Sequence, residues 1–320
     1  MLLRSMLYVP GNSVRMAIRA AALPIDAVIF DLEDAVPLAE KETARFLTKE
    51  FVRLIKRRGI NTFVRINSLT TSLTQDDLEA VVTNDLDGVM LPKSECGDDI
   101  LTLDALLSEI EKSLSLPQRS IKVIPLIESA KGIVNLHQIA NASKRVIALA
   151  FGAGDYCRDL GIDVTKISID EVEILYARAH IVNVSKAMKI QAVDTPFLGL
   201  LTDKERFLKE VRLAVMLGFN GKQCIHPSQI EPVNAAFTPH PSEVEQSKRL
   251  IQAFEDAKAR GIGAISFEGR MIDCMSYKQA KEKLMFANLI EEKTKLGKER
   301  ERHVSVFEVF KAFTLHEMPR

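Results

Sequence analysis

The chain has 320 residues, 47% of them apolar, and its 43 Lys and Arg are balanced by 43 Asp and Glu. That balance argues against nucleic acid or an anionic membrane surface as a partner, and no apolar run nears the ~20 residues of a membrane span. Cys96, Cys157, Cys224 and Cys274 are far apart and form no CxxC pair, so neither zinc nor a disulfide framework is expected and a reduced, cytoplasmic location is.

At the N-terminus, "MLLRSMLYVPGN" lacks the long apolar stretch of a secretory signal, because Pro10-Gly11-Asn12 interrupts it. The first strand is expected from Ser5 to Val9, ending in "VPGN". The second, Ala27 to Asp31, runs into "FDLEDAV" with Asp31, Glu33 and Asp34. Thr62 to Ile66 contains Arg65 in "VRIN", and Gly88 to Leu91 leads to Lys93 in "LPK". After the helical pattern "LDALLSEIEKSL", a fifth strand from Lys122 to Ile127 meets Glu128. The sixth, Val146 to Phe151, is nearly all apolar, as a strand covered on both faces reads. It leads into "FGAGDY" with Asp155. Ile190 to Val193 is followed by Asp194, then by the helix "DKERFLKEVRLAVMLG" with Gly218 as its stop. The eighth strand, Phe219 to Ile225, ends in "CIHPSQ" with His226.

Eight strands alternating with helices predict an α/β fold, a (β/α)8 TIM barrel, over residues 1–235. Residues 236–295 form a helical segment: a helix from Ser242 to Ala259, the Gly-rich break "RGIGAISFEGRMID", and a helix from Ser276 to about Lys295. Residues 296–320 are a charged tail without an assigned role, containing the apolar patch "VSVFEVFKAF".

In such barrels the chemistry sits at the carboxyl ends of the strands, where nearly every predicted strand here places a polar group. Glu128 and Asp155 follow neighbouring strands about 4.8 Å apart, so both can reach one ion. Oxygen donors without a Cys or His cluster suit Mg²⁺; the alternative is a metal-free network with Arg65 and Lys93. Arg65 is either a fork for a substrate carboxylate or thioester oxygen, or the salt-bridge partner of a strand-two carboxylate. Glu33 and Asp34 join it as catalytic candidates. The glycines of "FGAGDY" are not GxGxxG and leave room for a ligand near the backbone. His226 reads as a hydrogen-bonded structural group. Asp273, in "SFEGRMIDCM", reads as a helix N-cap, with Ser276 competing.

The motifs "RSMLYVPGN", "AVIFDLEDAVP", "FVRIN", "VMLPK", "IPLIESAKGIVNL", "FGAGDYCRDLG", "EILYARAHIV", "GFNGKQCIHPSQI" and "FEGRMID" occur in this order between Arg4 and about Ile290. Together they resemble the citrate lyase beta-subunit-like family of the HpcH/HpaI aldolase superfamily, which includes citramalyl-CoA and malyl-CoA lyases. The resemblance implies a homotrimer or hexamer, with Mg²⁺ held by Glu128 and Asp155 and Arg65 touching substrate. It implies that the C-terminal helices form a lid exchanged between subunits, bringing Asp273 into the neighbour's site as an acid/base group. Tyr8 and Arg15, around the first βα loop, would hold the CoA moiety; Arg15 as a plain surface charge is the alternative. The implied reaction is reversible retro-Claisen cleavage of a 3-hydroxy-dicarboxylic acyl-CoA thioester to acetyl-CoA and a 2-oxo acid, pyruvate or glyoxylate. The alternatives are a citrate lyase beta subunit with alpha and gamma partners, acting on citryl thioester of acyl carrier protein or CoA, a malyl-CoA thioester hydrolase, and a non-catalytic binding subunit.

Overall fold

A computed structural model describes residues 1–301 apart from residue 262, with side chains to residue 295. The last part of the charged tail and its apolar patch lie outside the described residues. Eight parallel strands close into a barrel in sequence order. They are β1 (Ser5–Pro10), β2 (Ala27–Asp31), β3 (Asn61–Arg65), β4 (Gly88–Leu91), β5 (Lys122–Ile127), β6 (Ala148–Phe151), β7 (Gln191–Asp194) and β8 (Gly221–Cys224). Helices α1 (Val14–Ala21), α2 (Lys41–Arg57), α3 (Thr74–Val81) and α4 (Gly97–Ser113) follow the first four strands. α5 (Ala130–Val134) and α6 (Leu136–Asn141) follow β5, and α7 (Ala153–Asp159) and α8 (Val172–Met188) follow β6. α9 (Lys204–Leu217) links β7 to β8, and α10 (Ile230–Ala236) follows β8.

The expected strands are all present, three with the expected bounds and five with ends shifted by one or two residues. Val146 makes only an isolated bridge to Val123, so β6 begins later than its apolar run. Closure of the barrel needs Gly221: a side-chain carbon there would lie 1.8 Å from the Leu3 carbonyl oxygen. Asp203 caps α9 by accepting a 3.0 Å bond from the Arg206 amide, and Gly218 ends it at φ 96°, a left-handed turn that glycine adopts without penalty.

Side chains alternate between the two faces of each strand. Met6, Ile29, Phe63, Met90, Leu126, Ala150 and Val193 point into the barrel, and one cluster of buried apolar groups fills it. Leu7, Phe30, Val64, Val89, Ile127, Phe151 and Ala192 face the helices. Asp194 follows inward Val193, so it points outward. There it receives Arg178 Nε at 3.0 Å and Nη2 at 2.8 Å, with Lys222 Nζ at 2.9 Å. Asp194 is therefore a buried structural group behind the wall and not part of the face where the other strand-end residues gather.

Glu171 joins this cluster through Arg178, and Glu210 through Lys222. Three buried carboxylates thus face two cations. Burial, and the neighbouring carboxylates of Glu171 and Asp194, push the Glu210 carboxyl up to about 8 against the pull of Lys222. Glu210 is thus protonated in the fold at neutral pH while ionised in the unfolded chain. The stability this supplies is complete below the unfolded value and is lost as pH rises to about 8. Unfolding of Glu210→Gln should show a shallower decline in stability between pH 5 and 8 than the parent. An unchanged slope in thermal or denaturant unfolding would place the proton elsewhere.

Beyond the barrel, α11 (Pro241–Ala259) leads to a hairpin of β9 (Ile265–Phe267) and β10 (Arg270–Ile272), and α12 (Cys274–Glu301) returns. The hairpin lies in the segment read as a plain Gly-rich break; its strands are three residues each, too short for a clear alternation. The two helices are antiparallel: Phe254 stacks on Tyr277, with ring centroids 4.8 Å apart. Near its far end, Lys293 Nζ donates to Asp26 at the barrel's amino-terminal base, at 3.1 Å to Oδ1 and 2.8 Å to the carbonyl. A cavity of about 590 Å³ lies there, lined in part by Arg4, Ile25, Ile60 and Leu289, at the end of the barrel opposite the strand-end carboxylates. No helix among the described residues is long and apolar enough to cross a membrane.

Candidate active site

Strand alternation carries Tyr8, Asp31, Arg65 and Glu128 inward, each two residues beyond an apolar residue that fills the barrel: Met6, Ile29, Phe63 and Leu126. They form the floor of the carboxyl-terminal mouth. Arg65 makes a bidentate pair with Asp31, Nε to Oδ1 at 2.7 Å and Nη2 to Oδ2 at 2.6 Å. Its remaining nitrogen, Nη1, lies 3.1 Å from Glu33 Oε2 and 3.6 Å from Asp34 Oδ2. Of the two readings of Arg65, the salt bridge to strand two is present, and Nη1 is the corner of the fork turned to the acidic loop. The Arg65 guanidinium also lies over the Tyr8 ring, 5.1 Å from its centroid, a cation–π contact.

Tyr8 belongs to β1 itself. Its hydroxyl donates to Gln223 Oε1 at 2.8 Å, and Gln223 Nε2 donates to the carbonyls of Phe151 and Asp194 at 2.8 and 3.0 Å. Burial pushes the Tyr8 phenol upward and keeps it protonated. Arg15 is exposed in the first turn of α1, beside the loop that leaves β1.

Glu128 is 5% exposed. Its Oε1 accepts the Lys93 backbone N–H at 2.7 Å. Its Oε2 occupies the space a side chain at position 152 would need, because a carbon on Gly152 would lie 2.7 Å away. That glycine of "FGAGDY" makes room for a protein carboxylate. Burial, and then the negative charges of Glu33 and Asp155, push the Glu128 carboxyl up to about 8. Asp155 is in the first turn of α7 and pairs with exposed Arg158. Gly132, by contrast, serves packing, since a side-chain carbon there would meet the Ser94 carbonyl at 2.7 Å. Ser129 caps α5, accepting the Gly132 amide at 3.1 Å.

Lys93 and Asp31, which the sequence marks only as polar groups at strand ends, both belong to this cluster. Lys93 Nζ pairs with Glu33 Oε1 at 2.7 Å. Lys41 also braces the loop, donating to the Glu33 carbonyl at 2.7 Å and to Asn67 Oδ1 at 2.9 Å. Lys93 was visible in "VMLPK"; nothing in the sequence marks Lys41, the first residue of a surface helix. His226 accepts the Ser228 amide at 3.2 Å and caps the short turn after β8. Asp273 caps α12, accepting from the Ser276 amide at 2.9 Å and hydroxyl at 3.0 Å; Ser276 is its donor and not a rival cap. α12 accordingly starts at Cys274 and not at Ser276.

Among the described residues, no three His, Cys, Asp or Glu side chains are placed to hold a metal together. Two carboxylates from neighbouring strands suffice for Mg²⁺, which takes one or two and keeps water and substrate in its other positions. The alternative network with Arg65 and Lys93 is only partly present. Glu128 takes the Lys93 amide and Asp155 takes Arg158, whereas Arg65 and the Lys93 ammonium serve Asp31 and Glu33. A carboxylate buried among others, with one oxygen held open, fits a divalent cation.

Such a constellation, at the mouth of a closed parallel barrel, defines a (β/α)8-barrel enzyme with an acidic, arginine-containing site. A family model described as HpcH/HpaI aldolase/citrate lyase matches residues 4–227. Citrate lyase subunit beta of Haemophilus influenzae is 41% identical over 278 residues, 87% of this chain and 94% of its own length. The mitochondrial citramalyl-CoA lyase of Homo sapiens is 32% identical over 300 residues, 91% of this chain and 87% of its own. A crystal structure of the CitE protein of Mycobacterium tuberculosis, in complex with magnesium, acetoacetate and coenzyme A, superposes with a TM-score of 0.70 at 30% identity, covering 89% of this chain and 98% of that one. The chain belongs to the HpcH/HpaI aldolase/citrate lyase family, and it is a carbon–carbon lyase.

Proposed function

We propose that the enzyme cleaves a 3-hydroxy-dicarboxylic acyl-CoA thioester, of the citramalyl or malyl kind, to acetyl-CoA and a 2-oxo acid, with Mg²⁺ held by Glu128 and Asp155. The observation that carries this reading is Glu128: a buried carboxylate beside Glu33 and Asp155, bonded through one oxygen, with the other accommodated by Gly152. The magnesium-bound CitE structure supports it. Bound Mg²⁺ would acidify and orient the substrate hydroxyl. The hydroxyl proton passes to a carboxylate at the mouth, where Glu33 and Asp34 stand. The C2–C3 bond then breaks, its electrons passing to the thioester enolate as the oxo acid forms. Arg65 Nη1 faces the mouth and stabilises the enolate oxygen. Protonation of the enolate carbon completes the reaction.

Asp273 is the acid we assign to that last step, acting from a second copy of the chain in a homotrimer or hexamer. In its own chain it is exposed, and the Ser276 bonds hold its carboxyl below the usual carboxylate range, so it becomes a proton donor only in a different environment. A neighbour's mouth supplies one, with residues 236–295 as the lid. We assign Arg15, exposed in the first turn of α1, to the CoA phosphates, and Tyr8, buried on the floor beside Arg65, to the acyl end and not to the CoA moiety.

A second reading has a specific observation in its favour. Citrate lyase beta subunits are 38–41% identical to this chain, against 32–33% for citramalyl-CoA and malyl-CoA lyases. A citryl thioester on acyl carrier protein, with alpha and gamma subunits as partners, is that alternative. A panel of citramalyl-, malyl- and citryl-CoA and citryl-acyl carrier protein, with and without Mg²⁺, separates them. Release of a 2-oxo acid only with Mg²⁺ is expected. Release of free CoA would indicate a hydrolase, and no turnover on any substrate would overturn the proposal.

A further inference from the structure

We propose that Lys93 is a positioning residue of the metal site, acting through its backbone amide and not through its ammonium group; this rests on the Mg²⁺ reading above. Lys93 has φ +51°. For a residue with a side chain this left-handed backbone costs roughly 1–2 kcal/mol, and such conformations persist where the surroundings over-determine them. Here the turn after β4 aims the Lys93 N–H across the strand gap at Glu128 Oε1, 2.7 Å away. The bond selects which oxygen of Glu128 is tied down. Oε1 is held on the β4 side, and Oε2 is left on the β6 side, against Gly152, which leads into α7 and Asp155. A cation shared by the two carboxylates would take Oε2.

The ammonium does separate work. It pairs with Glu33 Oε1 at 2.7 Å, and the Lys93 side chain is 49% exposed, where an ion pair contributes at most about 1 kcal/mol. The residue type at position 93 therefore matters for the site chiefly through the backbone shape it accepts.

Four variants separate amide from ammonium. Lys93→Gly removes the charge but favours the left-handed backbone and keeps the N–H. Lys93→Met removes the charge and leaves the turn as it is. Lys93→Val is β-branched and resists the turn. Lys93→Thr, β-branched as well but polar, keeps the test open if the valine variant does not fold. The readout is Mg²⁺ affinity of the substrate-free protein by calorimetry. Gly and Met should stay within about threefold of the parent, while Val and Thr should weaken binding about 10–100-fold, as loss of a supporting hydrogen bond does at metal sites. Parental affinity in both Val and Thr would overturn the inference. So would equal losses in Gly and Met, which would assign the role to the ammonium. A parent protein that turns over substrate yet shows no Mg²⁺ binding overturns the metal reading itself, and this inference with it.

Discussion

Glu128→Gln is expected to lower turnover about a thousandfold or more, because it removes the buried ligand on which several kcal/mol of charge stabilisation depend. The fold should not suffer. Burial and the nearby Glu33 and Asp155 disfavour the Glu128 charge, and glutamine fills the same space without it. The variant should therefore unfold, without metal, at a temperature no lower than the parent. The parent's melting temperature should rise on adding Mg²⁺, since a ligand bound only by the folded state stabilises it; the variant's should not. A variant that keeps its Mg²⁺-dependent rise would remove Glu128 from the ligand set. Mixed oligomers of Glu128→Gln and Asp273→Asn chains should regain part of the activity, because some sites would then combine an intact Glu128 with an intact Asp273 from another copy. No regain would keep Asp273 out of a shared site.

Arg65 carries the second large effect. Its guanidinium is tied through two nitrogens to Asp31, which is 2% exposed. Arg65→Lys keeps the charge but cannot reproduce the fork, and kcat should fall about a hundredfold or more, the scale for losing one donor at a developing oxyanion. Arg65→Met leaves Asp31 buried and uncompensated, a loss of about 3–5 kcal/mol in unfolding free energy. Adding Asp31→Asn should recover part of that stability: it removes the uncompensated charge, but the Glu33 amide donates to Oδ1 at 2.9 Å and the Ala35 amide to Oδ2 at 3.0 Å, and asparagine keeps an oxygen for only one of the two. It should recover none of the activity. A double variant as unstable as Arg65→Met would show that Arg65 supports the fold by packing on Tyr8 and not by pairing with Asp31.

Both predictions concern residues that the sequence already singled out, and for a physical reason. A parallel barrel buries its strands on both faces, so each strand reads as a short apolar run, and the run stops where the chain reaches the mouth. Eight such runs sufficed for the barrel, and Arg65, Glu128 and Asp155, at or just past the ends of three of them, marked where its carboxyl-terminal mouth lies. The same burial hid the facing of each residue. With both faces apolar, "IQAVD" carries no alternation to say that Asp194 points outward to Arg178 and Lys222, while Asp31, ending a similar run, points inward to Arg65. The arm was hidden for a different reason, since a hairpin with three-residue strands is too short to show a period.

By itself, then, the sequence determined the order of the barrel strands, the end at which chemistry gathers and the residue types available there, because these follow from runs of apolar side chains and the charges that close them. Only the tertiary structure decided which oxygen of Glu128 is bound, why position 152 is a glycine and why Lys93 adopts a left-handed turn. Those depend on the backbone of one strand meeting the side chain of the next, a contact between residues 35 apart for Lys93 and Glu128, and no local pattern records it.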